Sequence, residues 1–78
     1  MIFVYVLRSD RTGKRYIGHT YDLDRRFKQH NTGRVKSTKV GRPWHLIACK
    51  EYSLRSKARW VERSLKRSKK SLNRFLGL

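Results

Sequence analysis

Tyr16, His19, Arg26 and His30 lie within fifteen residues of one another, in the stretch from Arg15 to Asn31, and each carries a side chain able to do chemistry on an anion. A tyrosine hydroxyl and an imidazole handle protons, and a guanidinium presents a planar fork of donors to a phosphate. Their spacing implies a strand that turns into a helix. Arg15-Tyr16-Ile17 has the β-branched and aromatic content of a strand end, and Gly18 allows a close backbone turn that a Cβ would obstruct. Thr20 is the expected N-cap, with Asp22 and Asp24 in the first turn where the helix dipole favours negative charge, and Asn31 to Gly33 supplies the stop. On that helix Leu23 and Phe27 form the buried stripe. Arg26 and His30, also four apart, run beside it, so the four reactive side chains are expected on one edge.

The elements that must position them follow from the pattern on either side. Ile2 to Leu7 is a continuous apolar and aromatic run, as in a strand covered on both faces. The turn from Arg8 to Lys14 returns it as an antiparallel hairpin, which brings Tyr5 near Tyr16. Thr32 to Arg42 holds four basic residues, two glycines and no acid, and reads either as a solvated linker or as an exposed loop lying along phosphates. Pro43 to Cys49 is a third strand, with Cys49 expected as a buried small hydrophobe. A second helix is expected from Leu54 to Arg67, capped by Ser53, with Leu54, Ala58, Val61 and Leu65 facing the core. Leu72, Phe75 and Leu76 mark a short final helix. The order ββαβαα in 78 residues makes one small α+β domain, residues 1-78, with a central three-stranded antiparallel sheet flanked by helices.

Twenty-one Lys and Arg stand against five Asp and Glu, a net charge of +16, so the partner should be a polyanion. The basic residues are spread along the chain and interleaved with aromatics, which favours nucleic acid over a membrane surface or an acidic protein. No apolar run approaches the roughly 20 residues a membrane span needs, and the N-terminus lacks a signal-peptide pattern, so a cytoplasmic, soluble protein is expected. Self-repulsion at this charge favours a monomer. Five acids also limit the catalysis available. A two-metal site needs several carboxylates together, and Asp22 and Asp24 are already explained by the helix start. Glu62 borders the buried stripe of the second helix with no other acid within a turn, which leaves one hard cation held by one carboxylate, substrate phosphate and water.

Tyr16-Ile17-Gly18, the run Asp22 to Asn31, Gly41-Arg42-Pro43-Trp44 and the run Ser56 to Lys66 together resemble the GIY-YIG nuclease superfamily, in particular its small single-domain bacterial members. The resemblance covers nearly the whole chain. It implies a metal-dependent endonuclease acting on DNA, with magnesium as the expected ion and manganese as an alternative, and with a place in repair or recombination. It matches Tyr5 to the first-motif tyrosine, Tyr16 to the second-motif tyrosine that orients or deprotonates water, and Arg26 to the arginine on the scissile phosphate. His30 matches the histidine one turn further and Glu62 the metal-binding glutamate; His19 stands where many members have lysine, and the first motif lacks its glycine. Arg15, Arg25, Lys28, Arg34, Lys36, Lys39 and Arg42 are the expected DNA contacts, with a protein partner as a source of specificity.

Singly, each residue also has a plain structural role: Tyr5 and Tyr16 as sheet aromatics, His30 as a helix end, Arg26 as one solvated charge, Glu62 as a surface partner of Lys66. The rival function is a nucleic-acid-binding module that keeps the scaffold and does little chemistry. A third is a basic, ribosomal-type RNA-binding protein.

Overall fold

Strand β1, Ile2–Ser9, is the middle of the sheet because its apolar residues point both ways. The computed structural model describes residues 1–78. Val4 and Val6 face a core with Ile17, Ala58, Leu65 and Leu72, while Tyr5 and Leu7 face a second core with Trp44, Tyr16, Leu23 and Phe27. All four β1 residues are at most 1% exposed, and burying an aliphatic side chain of this kind is worth about 1.5–3 kcal/mol. Strand β2, Arg15–Thr20, and strand β3, Trp44–Tyr52, pair antiparallel on either side of β1, giving the order β2-β1-β3. Tyr5 lies opposite Gly18, and Leu7 opposite Tyr16. A bulge leaves Ile47 of β3 between the partners of Val6 and Leu7.

Helix α1, Leu23–Asn31, covers the tyrosine face, and α2, Arg55–Arg67, with α3, Lys69–Phe75, covers the valine face. None of the helices is long and apolar enough to cross a membrane. Four local expectations need correction. Asp22, not Thr20, caps α1, its carboxylate accepting from the Arg25 N–H at 3.2 Å while the Thr20 hydroxyl accepts from the Asp22 N–H. α2 begins one residue late, so Ser53 is out of capping reach, Leu54 takes the N-cap position without a side-chain bond, and Leu54 is 63% exposed instead of facing the core. Cys49 is exposed, because β3 is an edge strand on which Trp44 alone is buried.

The fourth concerns the basic segment, which is not a free loop. Lys36–Thr38 forms a 3-10 turn that folds onto the tyrosine face. Asn31 holds its far end by accepting from the Trp44 N–H at 2.6 Å and donating to the Trp44 carbonyl at 3.0 Å. The Trp44 indole donates to the Thr38 carbonyl at 2.7 Å, and the Ser9 hydroxyl donates to the Gly41 carbonyl at 2.6 Å.

Candidate active site

The chemistry-bearing residues gather about the free edge of β2, on both faces of the sheet. Side chains alternate along the strand, so Tyr16 and Gly18 lie on the α1 face, and Ile17 and His19 on the α2 face. Gly18 is required here by close approach: a Cβ would lie 2.6 Å from the Tyr5 hydroxyl and 2.8 Å from the ring carbon bearing it. Its absence lets Tyr5 extend across β2 toward Arg26 of α1, whose guanidinium donates to Gln29 Oε1 at 3.3 Å and lies close enough to favour the phenolate against burial.

Behind that phenol a buried chain of hydrogen bonds sets the proton positions. The Thr38 hydroxyl donates to the Val35 carbonyl at 3.3 Å, so its oxygen accepts from His30 Nδ1–H at 2.8 Å. His30 Nε2 is then the acceptor, and the Tyr5 hydroxyl donates to it at 2.9 Å. Burial, reinforced by the charge of Arg26, pushes His30 down to about 4. Burial also pushes Tyr5 up to about 12, against the opposing influence of the nearby Arg26 guanidinium. Both groups are therefore neutral across the physiological range, as the chain of bonds requires. The Tyr16 ring stands 4.8 Å from that of His30 and 6.4 Å from that of Tyr5, and unlike them it is only partly buried.

On the α2 face, His19 Nδ1 bonds one Glu62 oxygen, and Lys66 Nζ donates to the other at 2.7 Å. Burial alone would raise the Glu62 pKa, but the hydrogen bonds from Lys66 and His19 outweigh it, and the carboxyl sits below its ordinary value. His19 also separates two open cavities. One, about 290 Å³, is walled by Glu62, Arg59, Arg63 and Lys66; the other, about 320 Å³, by Arg25, Arg26, Gln29 and Arg55. The charge of Glu62 reaches Tyr5 across the edge and adds to the forces keeping its proton on.

Of the sequence candidates, Tyr5, Tyr16, Arg26 and His30 come together on one face, and His19 and Glu62 on the other, adjoining at the β2 edge. His30 is fully buried and reaches only Tyr5, Tyr16 and Thr38, so any influence it has on a bound molecule passes through those side chains. Arg25 walls the same cavity as Arg26, while the exposed Arg34, Lys36, Lys39 and Arg42 border none of the cavities at the edge. Sequence reading missed Thr38, whose role follows from the fold of its loop and has no local signal. It also missed Arg55, Arg59 and Arg63, whose regular spacing was open to inspection.

No three His, Cys, Asp or Glu side chains gather into a ready cation site. Glu62 is ionised, 18% exposed and set in a cavity wall, which suits a hard cation that takes one carboxylate and draws its other ligands from phosphate and water. The half-exposed Lys66 ammonium is the group such an ion would displace.

The model of the GIY-YIG catalytic domain matches residues 1–75. The chain is 46% identical over 59 residues to the structure-specific endonuclease subunit slx1 of Schizosaccharomyces pombe; that match covers 68% of this chain and 21% of the longer protein. It is 39% identical over 74 residues to the UPF0213 protein YazA of Bacillus subtilis, covering 90% of this chain and 74% of that one. The solution structure of a UPF0213 protein from Bacillus halodurans superposes with a TM-score of 0.61 at 30% identity, over 99% of this chain and 84% of the other.

Proposed function

The chain belongs to the GIY-YIG family, and from that we propose that it is a metal-dependent endonuclease that hydrolyses phosphodiester bonds in DNA. One observation carries this reading: the cleft at the β2 edge sets the Arg26 fork on one side of His19 and an ionised carboxylate on the other, with the buried, neutral Tyr5 phenol behind the arginine.

In this reading Arg26 binds the scissile phosphate and stabilises the charge that grows on its oxygens during attack. Tyr5, held neutral, donates to His30 beside Arg26, and Gln29 accepts from the guanidinium and so orients it. Tyr16, the more accessible of the two phenols, orients the attacking water. The water oxygen joins phosphorus as the bond to the leaving sugar oxygen breaks, giving a phosphomonoester and an alcohol. Glu62, oriented by His19, would hold the divalent ion, magnesium first and manganese second, and the ion would supply Lewis-acid stabilisation of the leaving oxygen. The name of the slx1 relative supports a preference for DNA structure over sequence, as at a branch or nick in repair or recombination, with a partner protein adding selectivity. We place the activity in the cytoplasm.

Nicking of supercoiled plasmid in magnesium, absent in EDTA and lost in Arg26→Ala, tests the assignment; metal-independent nicking of equal rate in both proteins would remove it. A second reading, a DNA-binding module with little chemistry, is favoured by the engagement of both Glu62 oxygens by His19 and Lys66.

A further inference from the structure

Helix α2 carries Arg55, Arg59, Arg63 and Arg67, one every four residues over its whole length. All four are exposed and none is in a salt bridge; the ion pairs of the chain involve His19, His45 and Lys66. At 1.5 Å per residue the arginines rise by roughly 6 Å per step, a spacing that meets successive phosphates of a strand drawn out beyond its roughly 3.4 Å axial rise in duplex DNA. A row of residues four apart is inclined by roughly 26° to the helix axis, so the ladder drifts around α2 as it climbs.

That drift follows a trench. Three cavities adjoin along the free edge of β2, the first two sharing His19 and the second and third sharing Lys66. Arg55 walls the first, Arg59 and Arg63 the second, and Arg67 the third, which is about 420 Å³ and extends to Arg15. The ladder thus passes the candidate active site in its middle and continues on both sides of it.

A merely solvated helix would not keep this pattern. Like charges four residues apart repel along a helix, and cations in the first turn oppose its dipole. α2 has both, with no acid in its first turn and no side-chain N-cap. Apart from Arg67 in the last turn, where the dipole favours a cation, the arrangement weakens the helix, and an anion laid along it would offset that cost.

We propose that the arginine ladder of α2 is the main DNA track, each arginine meeting one of a run of consecutive phosphates in a single strand that crosses the edge of β2. This deepens the nuclease reading, on which it rests, by fixing the path of the substrate strand. It makes α2, and not the basic segment from Arg34 to Arg42, the principal contact.

The test is binding of a fluorescein-labelled branched DNA in EDTA across a salt series, with the full chain. Replacing all four ladder arginines by alanine should lower the slope of log affinity against log salt by about 3, at roughly 0.7–0.9 per phosphate released. An equal-charge control, alanine at Arg34, Lys36, Lys39 and Arg42, should lower it clearly less. Far-UV circular dichroism should show the ladder variant as helical as the wild type; if it is not, the pair Arg59→Ala and Arg63→Ala should give half the change. Equal loss from the control, or an RNA strand of the same sequence bound more tightly through the same arginines, would overturn the proposal. Plasmid nicking in magnesium separates the two ideas: cutting with equal slopes leaves the nuclease and removes the ladder, whereas a ladder-dependent slope without cutting does the reverse.

Discussion

Gly18 and Tyr5 face each other across the β1–β2 ladder so closely that the phenol occupies the space of the absent Cβ, 2.6 Å from the hydroxyl oxygen. Gly18→Ala must therefore move the Tyr5 ring in a core where that ring is 1% exposed. The overpacking should cost about 1–3 kcal/mol in urea unfolding. Cleavage should fall further than the lost stability explains, because the phenol leaves His30 and shifts against the neighbouring Arg26. An alanine variant as active as wild type would separate Tyr5 from the site.

Thr38 tests the buried chain behind Tyr5. Thr38→Val keeps the shape but leaves His30 Nδ1–H without an acceptor, a loss of about 1–3 kcal/mol. Thr38→Ser should restore it. Nitrogen chemical shifts should report the Nδ1–H tautomer in wild type and the serine variant, and the opposite tautomer in wild type would reverse the direction of every bond from Thr38 to Tyr5 and contradict the prediction.

The pH dependence of stability follows from His30. Unfolded, it binds its proton near 6.5; folded, near 4. Between these values the unfolded chain holds more protons, so stability should rise with pH from about 4 to 6.5 and be lost on acidification through that window. The effect should be on the order of 3 kcal/mol. His30→Asn, less stable overall, should lose that part of the slope in urea titrations at stepped pH, and an unchanged slope would assign the dependence to other groups.

Lys66 competes for the oxygen that a metal would use. As an exposed pair it is worth about 0.5–1 kcal/mol, so Lys66→Ala should lower the magnesium concentration for half-maximal cleavage roughly 2–5-fold at saturating DNA. An increase in that concentration would mean that Lys66 supports the site instead of occupying it.

The element order and the antiparallel sheet were legible because β1 alternates two apolar faces and α2 keeps Ala58, Val61 and Leu65 in register. Tyr16, Arg26 and His30 were legible as neighbours, with Tyr5 beside Tyr16, because hairpin and helix spacing are local rules; His19, expected with them, lies on the other face because side chains alternate along β2. What escaped was set by long-range packing. Nothing in Lys36-Ser37-Thr38 announces that Thr38 will be buried against a histidine eight residues away, or that Trp44 and Asn31 will clasp the segment. Cys49 was misjudged because the composition of a strand does not say which one lies at the edge. The arginine ladder was visible in the numbering but is lost in a chain with twenty-one basic residues until the trench beside it is seen.

The central claim, that the β2 edge hydrolyses DNA through a metal held by Glu62, is tested most directly by comparing wild type with Glu62→Gln on a branched DNA in magnesium. Cleavage and binding should be measured on the same samples. Cleavage should fall by at least about 100-fold, or roughly 2.7 kcal/mol of transition-state stabilisation, while affinity in EDTA is unchanged or tighter because a negative charge has left the trench. Cleavage at the wild-type rate in the glutamine variant would contradict the claim.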